Sequence, residues 1–211
     1  YSAERRLAVL KPLKVVIENF PEGKIEWLPA LNNPNSDKQE QREIPFSREI
    51  WIEEDDFMEE PSKKFFRLAP GKEVRLRYAF FVTCNAVIKD EDGEIVELRC
   101  SYDPETRGGN APDGRKVKGT IHWVSAEHAK DAEVRVYNSF YNTPTPGRDR
   151  DFIEDINPNS LEVLENCKIE PDLITLDDNV PIQFERLGYF YKDPDTTPEK
   201  HIYNRTISLR D

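Results

Sequence analysis

Cysteine is scarce in this chain: Cys84, Cys100 and Cys167 are an odd number, widely spaced, with no Cys-x-x-Cys pair. That pattern excludes a disulfide frame and a cysteine-rich zinc site, and it fits reduced thiols in a cytoplasmic protein. Histidine is equally sparse, and His122, His128 and His201 are too scattered for a metal cluster. No apolar run approaches the ~18 residues of a membrane span, and no signal peptide opens the sequence. Glycine is limited to 9 of 211 residues, and no Gly-rich phosphate loop occurs. The 16 prolines cut the chain into short segments and exclude long helices. Positive charge is in deficit, 30 Lys and Arg against 41 Asp and Glu, for a formal net charge of -11. Non-specific duplex binding needs a broad basic surface and is disfavoured, but a local basic cleft for a few exposed bases is not. The opening Tyr1-Ser2-Ala3-Glu4-Arg5-Arg6 has no initiator Met, so a longer parent protein is expected.

Against that acidic background stands Lys63 to Arg77, with Lys63, Lys64, Arg67, Lys72, Arg75 and Arg77 against the single acid Glu73. Phe65 and Phe66 lie inside it. Cations interleaved with rings suit single-stranded nucleic acid, where cations meet phosphates and rings stack on unpaired bases. In Val74-Arg75-Leu76-Arg77 the period is two, so a strand would put both arginines on one face. Paired guanidiniums can each make forked bonds to a base edge or phosphate. Taken by itself, the run reads first as a solvated strand face, which charge runs ordinarily are. The acidic Glu53 to Glu60 segment just before it forms a helical turn or two, either holding the basic side chains or, as such runs usually are, solvated.

The rest of the chain is strand and turn. Strands are expected over Ala8–Glu18, Lys24–Leu28, Ile44–Ile52, Arg75–Ile88, Ile95–Tyr102, Arg115–Val124, Glu133–Tyr137 and Pro181–Tyr191, with weaker ones at Ser160–Val163 and Cys167–Glu170, and a last one over His201–Leu209. Asp92-Gly93 marks a hairpin. Short helical turns are expected at Ser125–Asp131 and Asp149–Ile156. Many short strands with little helical periodicity indicate an all-β chain. The polar stretch Asp103–Gly114 divides it into residues 1–110 and 111–211, each the size of a barrel of about 100 residues.

In their order along the chain, several segments resemble the C-terminal anticodon-binding region of glutaminyl-tRNA synthetases. They are Lys14-Val15-Val16-Ile17-Glu18-Asn19, Pro45-Phe46-Ser47 with Glu49-Ile50-Trp51-Ile52, Gly71 to Arg77, Asp113 to Gly119, Ile121-His122-Trp123-Val124-Ser125, Phe184-Glu185-Arg186 with Gly188-Tyr189-Phe190, and Asn204-Arg205-Thr206. The resemblance implies two six-stranded β-barrels of the ribosomal protein L25 type, with exchanged terminal strands and an anticodon loop gripped near their junction. The N-terminal strand would then join the other barrel. Carried over by position, Arg75 and Arg77 match arginines associated with the first anticodon base and its phosphate. Arg67 matches one associated with the third base, Arg5 and Gln183 match residues around the middle uridine, and Arg186 matches a supporting arginine. A Gln amide offers both donor and acceptor to a uracil edge. Lys64 stands where relatives carry Gln, and Phe66 where they carry Lys, so stacking by Phe66 can replace a cation there. Lys116 and Lys118 suit either the tRNA backbone or salt bridges to a catalytic body.

The same resemblance implies a monomeric, cytoplasmic parent enzyme that joins glutamine to its tRNA with ATP and Mg²⁺. That chemistry belongs to an N-terminal catalytic domain with the motifs HIGH and KMSKS. Neither occurs here, so the chain is expected to bind glutamine tRNA, hold no cofactor and lack ligase activity alone. Two readings compete: the matching region of an archaeal- or eukaryote-type glutamyl-tRNA synthetase, against which Gln183-Phe184-Glu185-Arg186 argues, and a stand-alone barrel that binds structured RNA or protein.

Overall fold

The computed structural model describes residues 3–209. The first half of the chain supplies β1 (Glu4–Arg6), β2 (Ala8–Val9), β3 (Pro12–Ile17), β4 (Glu26–Leu31), β5 (Gln41–Phe46), β6 (Glu49–Glu53), β7 (Glu73–Leu76), β8 (Phe81–Lys89) and β9 (Ile95–Asp103). The second supplies β10 (Thr120–Ile121), β11 (Trp123–Ser125), β12 (Lys130–Tyr137), β13 (Leu161–Ile169), β14 (Ile182–Phe184), β15 (Gly188–Lys192) and β16 (His201–Ser208). Short 3-10 turns at Glu54–Asp56, Pro104–Thr106, Phe152–Asp155 and Pro171–Thr175 are the helical elements among the described residues.

One sheet runs β10-β7-β8-β9-β3-β6-β11 and the other β1-β14-β15-β16-β12-β13-β2, while β4 and β5 form a separate hairpin. Each large sheet has seven segments, one more than the six expected. The extra segment arises because its two edge segments are one stretch of chain, broken at Leu7 in one sheet and at His122 in the other. Counted as continuous strands, both sheets are rings of six, and each ring removes the open edges that would otherwise invite aggregation.

The strand that closes each ring comes from the other half of the chain. Arg5 pairs in parallel with Gln183, and Ala8 pairs with Ile169. Thr120 pairs in parallel with Arg75, and Val124 pairs with Trp51. Alternation on the N-terminal strand serves both interiors: Leu7 and Val9 belong to the first core and Ala8 to the second. The first core holds an aromatic cluster in which Phe46 meets Trp123 at 5.0 Å and Phe20 at 5.1 Å, both edge-on. Such ring pairs add about 0.5–1.5 kcal/mol each beyond area burial. The second core is smaller, built on Phe184 stacked against Phe190 at 4.1 Å.

Several expected strands are broken where ion pairs or buried side chains demand a turn. The stretch from Arg75 to Ile88 is a hairpin: β7 ends at Leu76, and the turn passes through Tyr78 at φ 64°. Pro181 to Tyr191 likewise folds back between β14 and β15, with Arg186 at φ 69°. Ile44 to Ile52 turns at buried Ser47, whose hydroxyl donates to the Glu49 carbonyl at 2.7 Å. Residues 115–119 are irregular, and only Thr120 to Ser125 is strand. In the opposite sense, the two weak strands around Val163 and Cys167 are one strand, β13. The Asp92-Gly93 hairpin lies where expected, between β8 and β9, with Gly93 at φ 88°.

Candidate nucleic-acid interface

The basic run folds as a loop, Lys63 to Gly71, leading into β7. Val74 and Leu76 point into the core, so Arg75 must point out. Its guanidinium stacks over Phe81 at 5.5 Å, and its Nε is buried without a hydrogen-bond partner. Arg77 lies one residue beyond β7, although its amide still donates to the Ile121 carbonyl at 2.9 Å, in step with that of Arg75 to Gly119. The turn sends Arg77 across the barrel junction, where its Nε meets Glu185 Oε2 at 2.8 Å. Glu185 also accepts the Tyr78 hydroxyl. Burial pulls the Arg77 pKa down, but the Glu185 charge, together with Tyr78 and the hydrogen bonds to both, outweighs it and the pKa is raised. The same surroundings push the Tyr78 phenol up to about 12, burial first and the Glu185 charge second.

Arg67 and Arg186 meet on one buried carboxylate. Arg186 forks onto Asp56 at 2.5 and 2.7 Å, and Arg67 Nε lies 3.3 Å from Asp56 Oδ1. Arg67 Nη1 also donates to the Asp55 carbonyl at 2.7 Å. Asp56 is 2% exposed, so the expectation that its acidic segment is merely solvated fails there. A carboxylate can be buried at that cost only when charge-assisted bonds saturate its oxygens, and two guanidiniums do so. These side chains line a cleft of about 260 Å³ with His122 and Arg205.

A second cleft, about 410 Å³, shares Arg67 and is walled by Lys63, Phe65, Phe66, Lys72 and Lys118. Phe66 is 52% exposed, and Lys118 Nζ sits 5.0 Å from its ring centre. A third, about 350 Å³, holds Arg75 and Lys116. Arg115 is the clamp between the last two: it takes Glu73 through two bonds of 3.0 Å, along with Asp103 and Asp113. Those bonds raise its pKa and hold Asp103 below the usual carboxylate range, and Asp113 is held there first by the Arg115 amide and then by its guanidinium. Gly119 lets the clamped segment close on the loop, since a Cβ there would lie 2.1 Å from the Phe66 carbonyl oxygen.

Arg5 and Gln183 stand side by side on β1 and β14. They connect to the junction through the backbone, since the Glu185 amide donates to the Arg6 carbonyl at 3.0 Å. Lys64 is exposed beside the second cleft. Among the described residues, Lys63, Lys64, Lys72, Arg75, Lys116 and Lys118 have no carboxylate within ion-pair distance, whereas most other cations do. Six unpaired cations thus lie on the walls of, or beside, the second and third clefts of a net-acidic protein, while Arg5, Lys11, Lys130, Arg148 and Arg205 are unpaired elsewhere. Sequence reasoning missed Glu53, Asp56, His122 and Glu185, the buried polar groups that aim the arginines; the acids crowded before Pro61 were the available signal for Asp56.

Residues 3–103 match a family model described as the anticodon-binding domain of class I (E and Q) tRNA synthetases, and residues 120–193 match a second model of the same description. The chain belongs to this family. As an anticodon-binding region it is 59% identical over 210 residues to the glutamine–tRNA ligase of Bradyrhizobium diazoefficiens, covering 100% of this chain and 38% of that protein. It is 56% identical to the glutamine–tRNA ligase of Nitrobacter winogradskyi, again over 100% of this chain, and 37% of that protein is covered. For the Rhodopirellula baltica ligase the identity is 49%, over 99% of this chain and 35% of the relative. The anticodon-binding region thus spans little more than a third of the curated relatives it matches. Among its described residues no helix is long and apolar enough to cross a membrane, and no group of side chains could hold a metal ion.

Proposed function

We propose that this chain is the anticodon-reading part of a glutamine–tRNA ligase, and that its tRNA partner lies along the three linked clefts. The observation that carries the reading is the set of six unpaired cations and the exposed Phe66 ring at the second and third clefts of an acidic chain whose whole length matches glutamine–tRNA ligases. Arg75, with an orphaned Nε and an unpaired charge, is the contact for the first anticodon base or its phosphate. Arg77 supports that region from the Glu185 side. Arg5 and Gln183 flank the middle uridine, Arg67 takes the third base, and Arg186 supports it. Lys64, Phe66, Lys116 and Lys118 serve as outer contacts, with Phe66 a stacking platform and the lysines facing phosphates. The names of the relatives favour the glutamine over the glutamate enzyme.

In this reading the parent protein attaches glutamine to its tRNA using ATP and Mg²⁺, in the cytoplasm and as a monomer. The catalytic domain is its own N-terminal part, against which the second barrel packs, and the present chain is not a ligase alone. The deciding measurement is tRNA binding and aminoacylation by full-length Arg67→Ala with transcripts varied at each anticodon base. Discrimination at the third base should fall by about 1–3 kcal/mol, the worth of a forked base contact. Equal loss with every transcript would remove base reading and leave Arg67 a phosphate contact.

A further inference from the structure

His122 occupies the break in the strand that closes the first barrel, and it is 1% exposed. Its ring nitrogens face different partners. Arg186 Nη1 lies 2.9 Å from Nδ1, and a guanidinium has only N–H groups to offer, so Nδ1 must carry the lone pair. Nε2 lies 3.3 Å from Glu53 Oε1 and therefore carries the hydrogen. Glu53 is itself pinned by the amides of Leu10 and Lys11 at 2.7 and 3.0 Å. On the other side, Arg186 passes to Asp56, which it shares with Arg67. The result is a continuous chain of hydrogen bonds and ion pairs from the end of the exchanged N-terminal strand, through Glu53, His122 and Arg186, to Asp56 and Arg67, in which Glu53 and Asp56 accept from both sides and Arg186 donates to both His122 and Asp56.

Every partner in that chain comes from a different element: Glu53 ends β6, His122 lies between β10 and β11, and Arg186 tips the hairpin of the other barrel. Arg186 is also held in a left-handed conformation that bulky side chains rarely adopt, so its direction depends on what surrounds it. With Nη1 committed to Asp56 and His122 and one Nη2 hydrogen to Asp56, the Nε hydrogen and the second Nη2 hydrogen are left outside this network, on a residue that lines the cleft.

We propose that His122 is a positioning residue for tRNA binding: its neutral ring, accepting at Nδ1 and donating at Nε2, orients Arg186 and, through Asp56, Arg67. This rests on the reading of Arg186 and Arg67 as tRNA-site residues. The required group is an acceptor at the Nδ1 position. Histidine supplies it without a charge that would compete with Asp56.

The test uses the full-length protein and a glutamine tRNA transcript, with a third-anticodon-base variant alongside, read by equilibrium binding. His122→Phe keeps a ring and removes both bonds, and it should weaken cognate binding about tenfold, as expected for a lost bond to a charged group. His122→Asn restores an acceptor near Nδ1 and should recover most of that loss, whereas His122→Gln, reaching toward Glu53 instead, should not. Arg186→Ala should match His122→Phe, and the double variant should bind no more weakly than Arg186→Ala alone. If Arg186→Ala weakens binding while His122→Phe leaves it at the wild-type value, the positioning role is overturned and the tRNA reading stands. If Arg186→Ala itself has no effect, the assignment of Arg186 to the tRNA site is what fails. Should His122→Phe not fold, the ordering of Asn above Gln decides, and equal binding by the two overturns the proposal.

Discussion

Tyr78 is bound more tightly to its surroundings than its place in a hairpin turn would suggest. Its hydroxyl donates to Glu185, its ring sits 5.1 Å from the Arg77 guanidinium, and its backbone is held at φ 64°. A left-handed tyrosine costs on the order of 1–3 kcal/mol, which the surrounding bonds must offset. Because the phenol is pushed up to about 12 from an ordinary value of 10.0, the folded state holds its proton to higher pH than the unfolded chain does. The linkage sign follows: the contribution is fully present below pH 10 and is lost as pH rises toward 12. Tyr203, also at about 12 through burial alone, adds a loss of the same sign. Tyr78→Phe should therefore flatten, but not abolish, the alkaline fall in unfolding free energy, as read by denaturant melts across that window. It should also remove one late step from the phenolate absorbance titration. An alkaline profile identical to that of the unmodified protein would show that Tyr78 is not linked to stability.

The two barrels repeat one plan of elements. In each, a short exchanged strand runs parallel to the first strand of a hairpin, β10 with β7 and β1 with β14, and a second parallel pair follows, β3 with β9 and β12 with β16. Tyr78 and Arg186 occupy the corresponding hairpin tips, both left-handed, and the tips meet through Arg77 and Glu185. No residue-level repeat is visible, because what the plan conserves is strand pairing, which many side-chain sets satisfy. Much of the rest was legible. Period-two alternation located β7 and β12, Asp-Gly located the β8–β9 hairpin, and the acidic, glycine-poor, proline-rich composition indicated short strands throughout. The turns at Tyr78 and Arg186 were not legible, since neither carries a turn-forming residue; ion pairs made across the junction impose them. A related reason hid Asp56, whose burial is decided by Arg186, 130 residues further on, closing over it together with the nearby Arg67. At the loop that carries Phe66 the decisive residue is a glycine. Gly119→Ala must push the Phe66 carbonyl away from a 2.1 Å approach, and the obstacle is backbone rather than a yielding side chain. The expected cost is about 1–3 kcal/mol, as for an overpacked core, seen as a lowered Tm, together with weaker tRNA binding as the second cleft opens. Unchanged Tm and affinity would mean that the 115–119 segment is not held against the loop.

At the scale of the molecule, strand exchange makes each ring depend on the other half of the chain, and Leu7 is where that dependence is sharpest. Its side chain is 1% exposed in the first core. Its backbone, at the break in the second sheet, is tied to the second barrel: the Leu7 amide donates to Glu170 Oε2 at 3.0 Å, and the Glu170 amide donates to its carbonyl at 3.1 Å. Glu170 is in turn held by Arg42, at 2.8 Å through Nη2, from the hairpin strand β5. A cavity at Leu7 therefore cannot be confined to one barrel. Leu7→Ala should cost about 2–5 kcal/mol, the range for a buried leucine truncation. In amide exchange on the full-length protein, the most protected amides of β7 to β9 and of β14 to β16 should lose protection together. Barrels that were merely tethered would open independently, and the loss would then be restricted to β7–β9. A shared loss means that the two halves unfold as one cooperative unit, so the junction holding Arg67, Arg77 and Arg186 keeps its geometry for as long as either barrel is folded.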